Sequence, residues 1–213
     1  MSASHGHDHH PPQADLEDSA LTEHQALTQA VTALLLERGL ITAEALRRTL
    51  ETIDAATPAA GARLVARAWV DPGFAARLAA SVKDAAAELG IDAGAIPIRA
   101  LLDTPTRHHL LVCTLCSCYP RFLLGASPGW YKSRAYRARA VREPRAVLAE
   151  FGTVLPDGVA VEVHDSTAEP RYLVVPQRPS GTEGWSEDRL AALVTRDCLI
   201  GTALPDPSAR PVE

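Results

Sequence analysis

Apolar residues recur at helical spacing from Ala20 to Arg38, where Leu27, Val31, Leu34 and Leu35 share one stripe and Gly39 supplies the stop. Thr42 caps a second helix with Leu46 and Leu50 on its inner face. Asp71-Pro72 is a cap followed by a proline at the first helical position, and Phe74, Leu78, Val82 and Leu89 carry the stripe on to Gly90. The N-terminal third is predicted to be helical. Beyond Gly90 the texture changes. Ile96-Pro97-Ile98 and Leu110-Leu111-Val112 are short apolar runs between turn formers, as strands are. Tyr136 to Arg142 and Pro144 to Phe151 predict short helices, whereas 159–163 and 172–175 run like paired strands. Ser186-Glu187-Asp188 opens a further helix carrying Leu190, Leu193 and Val194. No segment repeats. The pattern predicts an α+β fold, a helical N-terminal arm (19–90) followed by a layered α/β domain (91–205), with tails at 1–18 and 206–213.

Composition narrows the class. With 213 residues and 46% hydrophobic content the chain is long enough to bury a core. Its net charge of -5 provides no basic footprint, so nucleic acid is not an expected partner, although arginines cluster between Arg134 and Arg145. No stretch approaches the roughly 18 to 20 apolar residues that span a bilayer, and the polar start is no signal peptide, so we expect no membrane association and a cytoplasmic location. The first 18 residues, with His5, His7, His9 and His10 before Pro11-Pro12, cannot bury a core and are expected to be disordered.

The cysteines carry the chemistry. Cys113, Cys116 and Cys118 fall within six residues while Cys198 stands apart, which is no disulfide framework and points to metal or redox chemistry. The single residue between Cys116 and Cys118 strains ordinary tetrahedral binding. It lets the backbone nitrogens of Ser117 and Cys118 fall beside two sulfurs in one plane, with Cys113 at an apex and a sixth position open. Such an anionic donor set favours a trivalent ion. On spacing alone, a structural zinc site completed by His108 or His109, part of an iron–sulfur site, or simple packing remains open.

Cys-Thr-Leu-Cys-Ser-Cys-Tyr-Pro at 113–120 resembles the metal-binding claw of nitrile hydratase α subunits, and the likeness covers about residues 25 to 205. Matching segments include Ala68-Trp69-Val70-Asp71-Pro72, Asp103-Thr104-Pro105, Gly129-Trp130-Tyr131-Lys132-Ser133, Tyr136-Arg137-Ala138-Arg139, Asp165-Ser166-Thr167-Ala168-Glu169, Arg171-Tyr172 and Gly181-Thr182-Glu183-Gly184-Trp185. The resemblance implies that 91–205 is a metal-binding catalytic domain. It implies non-corrin Co(3+), with Fe(3+) as the alternative, because Thr114 stands where cobalt enzymes have Thr and iron ones usually Ser. Cys113, Cys116, Cys118 and the amides of Ser117 and Cys118 would hold the ion. Cys116 would mature to a sulfinic acid and Cys118 to a sulfenic acid. Cys118 and Ser117 are the implied catalytic residues, a small-molecule nitrile is the implied substrate and an amide the product. A β subunit, single or split, is the implied partner, with an activator or metallochaperone as a further one.

Two positions depart from the family pattern. Arg121 stands where most relatives carry Trp, which either admits a bulkier or more polar nitrile, nucleoside-like ones included, or is a solvated side chain. Gly94 replaces a Gln that many relatives carry, and one hydrogen bond is left unassigned. Arg137, Arg139 and Arg145 are read as solvated, with carboxylate pairing or a partner-facing role as alternatives, His108 and His109 as structural, and Cys198 as a buried small hydrophobe. The tail histidines either collect a divalent metal or have no role. Two other functions fit the same residues: the metal-bearing subunit of thiocyanate hydrolase, and a metal carrier module.

Overall fold

A computed structural model describes residues 21–115 and 118–208, so the His-rich tail and the last five residues of the C-terminal tail lie outside the described residues. Packing divides the chain into two units after Arg48. In the first, Thr22 caps α1 (Glu23–Glu37) with Gln25 completing a reciprocal capping box, and the helix ends at Arg38 before Gly39. Leu27, Val31 and Leu34 form the expected stripe, yet no residue of α1 is buried. Helix α2 (Ala43–Ala55) begins where the Thr42 hydroxyl accepts from the Ala45 N–H.

The second unit holds the core. Helices α3 (Ala59–Val70), α4 (Pro72–Ala80) and α5 (Val82–Glu88) pack with the strands. The stripe expected to run unbroken from Asp71 to Gly90 is two helices. Ser81 is extended at φ -153° and caps α5 by accepting from the Asp84 N–H, so the chain turns there while Phe74, Leu78 and Val82 remain buried. Strands β1 (Ile98–Leu102), β2 (Arg107–Val112), β3 (Ala160–Asp165) and β4 (Arg171–Val175) form two parallel pairs, β1 with β4 and β2 with β3. The expected pairing of 159–163 with 172–175 is therefore corrected: each strand pairs with one about fifty or more residues upstream, through long crossovers of the kind parallel strands need. The first strand also starts later than the Ile96-Pro97-Ile98 run, because Pro97 offers no N–H and serves instead as the acceptor for Arg171 N–H. Mixed helices and strands make the domain α+β, as expected.

Leu110, Leu111 and Val112 are all buried, as are Leu173 and Val174, which explains continuous rather than alternating apolar runs. Between β2 and β3 lie α6 (Arg121–Leu124), α7 (Gly129–Lys132), α8 (Arg134–Ala140) and α9 (Pro144–Glu150). After β4 come α10 (Glu187–Ala191), capped by Ser186, and α11 (Arg196–Ile200), capped by Thr195. The former stops before Leu193 and Val194, and the latter was not expected from the pattern. Gly201 ends α11 at φ +88°, and a Cβ there would lie 2.0 Å from the His109 carbonyl oxygen, so only glycine lets this turn rest on β2.

Candidate metal centre

Strand β2 ends at Val112 and delivers Cys113 directly to the loop. Cys113 is fully buried, and Cys118 is half-buried on the far side of the turn. Cys116 and Ser117, named above as ligand and catalytic positions, lie outside the described residues. What the structure does describe is how the loop is gripped. Asp165, the last residue of β3 and the register partner of Val112, accepts from the Thr114 N–H at 2.9 Å and from the Thr114 hydroxyl. The ladder continues one step further, with Ser166 N–H donating to the Val112 carbonyl at 2.7 Å. Arg137 on α8 donates to the Thr114 carbonyl at 3.1 Å, the Tyr131 hydroxyl to the Cys118 carbonyl at 3.1 Å, and Arg171 at the start of β4 to the Tyr119 carbonyl at 2.7 Å. Just before the loop, the buried Tyr136 hydroxyl donates to the Leu111 carbonyl at 2.5 Å.

Most of these holders escaped the sequence reading. Arg137, expected to be solvated, carboxylate-paired or partner-facing, instead donates to the loop backbone. Arg139 pairs with carboxylates, clasping Glu143 and Glu150 at the surface, and Arg145 donates to the carbonyls of Leu155 and Pro156. One signal was available. In a chain with only four tyrosines, Tyr119, Tyr131 and Tyr136 gather here, with Trp130 and Phe151, in mostly edge-on ring contacts. Burial raises the pKa of Tyr119, Tyr131 and Tyr136, so the hydroxyls stay protonated, and those of Tyr131 and Tyr136 donate to the Cys118 and Leu111 carbonyls.

The donor chemistry fits a thiophilic metal. A buried thiol stands at the strand end, the loop carbonyls of Thr114, Cys118 and Tyr119 are each tied to hydrogen-bond donors, and the Cys118 thiol is half-buried. A cavity of about 320 Å³ beside Asp103, His108 and Arg178 contains no loop residue, whereas a more open cleft of about 600 Å³ is lined by Thr114 and Leu115 of the loop.

Both departures have a structural setting. Gly94 sits at φ +79°, and a Cβ on it would fall 2.5 Å from the Phe122 ring, so that ring fills the space a longer side chain would need. Arg121 is about half exposed, lies 3.8 Å from Asp54, and lines a small cleft with Phe122 and Arg171.

His108 and His109 converge on Asp103, whose side chain is only 4% exposed. The His108 Nδ1 lies 3.1 Å from one carboxylate oxygen and its Nε2 2.7 Å from the Gly201 carbonyl oxygen. Both partners are acceptors, which favours the imidazolium: it bonds the Gly201 carbonyl and pairs with the carboxylate by charge, the Asp103 Oδ2 having no aligned hydrogen bond among the described residues. Burial opposes the charge, but Asp103 and Gly201 raise the His108 pKa; burial likewise opposes the Asp103 charge, but both histidines hold its pKa down. His109 donates its backbone N–H and Nδ1–H to the other oxygen, each at 2.8 Å. Cys198 is buried beside Thr195, and burial raises its pKa.

An α+β chain with a three-cysteine loop closing a buried parallel strand is the class that fold and site define. The nitrile hydratase alpha chain family matches residues 22–203, and this chain belongs to it. It is 45% identical to thiocyanate hydrolase subunit gamma of Thiobacillus thioparus, over 88% of this chain and 82% of that one. It is 47% identical to the low-molecular weight cobalt-containing nitrile hydratase subunit alpha of Rhodococcus rhodochrous, over 92% and 96%. Among solved structures, a recombinant thiocyanate hydrolase with partially modified cobalt centers aligns at TM-score 0.83 and 44% identity, covering 91% of this chain and 97% of that one. Among the described residues, no helix is long and apolar enough to cross a membrane.

Proposed function

We propose that this chain is the metal-bearing subunit of a cobalt enzyme that adds water across a carbon–nitrogen triple bond, with a nitrile as substrate and an amide as product. The observation that carries the reading is the Cys-Thr-Leu-Cys-Ser-Cys loop set at the buried end of β2 and held by Asp165, Arg137 and Tyr131, in a chain of the nitrile hydratase alpha family. Cys113, Cys116, Cys118 and the amides of Ser117 and Cys118 are assigned as ligands, for Co(3+) with Fe(3+) as the alternative. When bound, the ion supplies Lewis acidity that polarises the triple bond, a contribution of several kcal/mol. The residues of the chain do the rest. Cys118, matured to a sulfenate, presents its oxygen to the entering water and takes up its proton, while Ser117 orients the reactant from the adjoining position. Arg137 and Asp165 keep the loop from shifting as charge develops.

A β-type partner, single or split, covers the loop. Leu115 is 89% exposed on the loop and shares an open cleft with Val141 and the arginines Arg134, Arg137 and Arg142, an apolar spot rimmed by cations that suits a subunit contact. An activator or metallochaperone for loading is part of the same reading, as is a cytoplasmic site of action.

A second reading has its own observation. Arg121 and Arg171 place two cations on a small cleft next to Pro120, and their positive field favours an anion such as thiocyanate nearby over a neutral, bulky or nucleoside-like nitrile. Metal analysis with mass spectrometry of the 113–118 peptide, and assays of amide release from nitriles beside carbonyl sulfide release from thiocyanate, separate the readings. Cobalt, oxygen added at two cysteines and amide release support nitrile hydration. Carbonyl sulfide alone moves the assignment to thiocyanate, and exchangeable zinc on unmodified thiols leaves a metal carrier.

A further inference from the structure

One cluster of metal-ligating side chains lies outside the cysteine loop. His109 on β2 and Glu162 on β3 are register partners, and His164, two residues along β3, shares the face of Glu162. The Glu162 Oε2 lies 3.8 Å from the His109 Nε2 and 3.9 Å from the His164 Nε2, and the three groups converge within 4.8 Å. The rings of His109 and His164 stand 5.1 Å apart.

Each ligand atom is prepared by its surroundings. His109 gives its Nδ1–H to buried Asp103, which fixes the tautomer and leaves the Nε2 lone pair facing Glu162, the arrangement in which a carboxylate behind a histidine raises its strength as a ligand. Arg107 holds Glu162 through Oε1 at 2.8 Å and leaves Oε2 toward the imidazoles. The His164 Nε2 is buried with no hydrogen-bond partner among the described residues, an uncompensated polar atom aimed at the cluster. Metal–ligand bonds of about 2.0–2.2 Å require the Glu162 oxygen to approach each imidazole by several tenths of an ångström, which the half-exposed Glu162 allows by rotating inward, and the two imidazoles to close on each other as well.

We propose that His109, Glu162 and His164 form a second, divalent-metal site that clips β2 to β3 beneath the cysteine loop. Two imidazoles and one carboxylate select late first-row ions such as zinc over magnesium or calcium, and the Arg107 charge weakens hard cations further. The site spans the two strands whose ends carry Cys113 and Asp165, so an ion here locks the register on which the grip of the loop depends.

The probe is zinc. The full chain is prepared with the cysteine loop already metal-loaded and with His5, His7, His9 and His10 changed to Ala, so that neither can take it up. Zinc is titrated against a chromophoric chelator, bound metal is counted by mass spectrometry, and melting is followed with and without zinc. We expect one zinc per chain beyond the loop metal, a higher melting temperature with zinc, and no response to magnesium. Glu162→Gln and His164→Ala should keep the zinc-free melting temperature yet bind zinc at least about tenfold more weakly, the scale on which even outer partners of metal ligands act. No added equivalent in the parent, or equal zinc affinity in parent and both variants, overturns the proposal.

Discussion

Replacing Asp103 by Asn tests the buried charge arrangement behind β2. The carboxylate accepts the His109 N–H and Nδ1–H at 2.8 Å each and faces the His108 Nδ1 at 3.1 Å, with 4% of its side chain exposed. Asn retains an acceptor for the backbone N–H but abandons the imidazolium. Removing one partner of a buried pair costs about 3–5 kcal/mol, and His108 recovers part of that by shedding its proton, so about 3 kcal/mol remains. For a chain of this size that lowers Tm by roughly 6–12 °C. The pH dependence has a definite sign. The lowered Asp103 pKa contributes stability that is present above pH ~4 and lost as pH falls through the folded value; the raised His108 pKa contributes stability that is present below pH ~6.5 and lost as pH rises through its folded value. The pair is therefore worth most between about pH 4 and 6.5. Calorimetry of both proteins at pH 5.5 and 9 should give the full Tm gap at the lower pH and a narrower one at the higher. A gap that is the same at both, or below about 2 °C at pH 5.5, refutes the pairing.

Asp165→Ala removes both contacts to Thr114, and because the site is solvent-accessible the loss in global stability should be only about 1 kcal/mol, while claw metal retained after dialysis against a chelator falls severalfold. Unchanged retention would show that Asp165 does not grip the loop. Gly94→Ala forces a left-handed backbone on a residue with a Cβ and pushes that atom against the Phe122 ring, costing about 1–2 kcal/mol or more by denaturant titration, and Phe122→Leu in the same chain should recover part of it. Arg121→Trp should lower any turnover of thiocyanate relative to aromatic nitriles; identical ratios before and after would remove Arg121 from substrate selection.

What the sequence discloses follows physical scale. Local rules were legible: the capping box at Thr22, the Asp71-Pro72 start and the buried apolar runs of β2 and β4 are set by neighbours in the chain. The break at Ser81 was hidden because the apolar period runs through it. Strand partners were hidden for a different reason, since parallel pairing leaves no turn signal between the strands it joins. The spacing of the three cysteines pointed to metal or redox chemistry and left its kind open, while the residues that hold the loop gave no sign. Asp165 meets Thr114 across 51 residues, and Arg171 meets Tyr119 across 52, distances at which no pattern in the chain marks a contact. Arg137 looked like any exposed arginine on a helix until its carbonyl partner was placed. The His109–Glu162–His164 grouping likewise exists only once β2 and β3 are in register.

The 51-residue span between Thr114 and Asp165 also orders events during folding. While the chain emerges, the three thiols are synthesised well before the carboxylate that fastens them, and closing so large a ring is slow compared with forming the short helices in between. If the loop is the metal site proposed above, thiols exposed in that interval would meet whatever soft ion is at hand. Only when β3 docks does the clasp shut, so the choice of metal is best enforced from outside, by what is supplied to the unfinished chain.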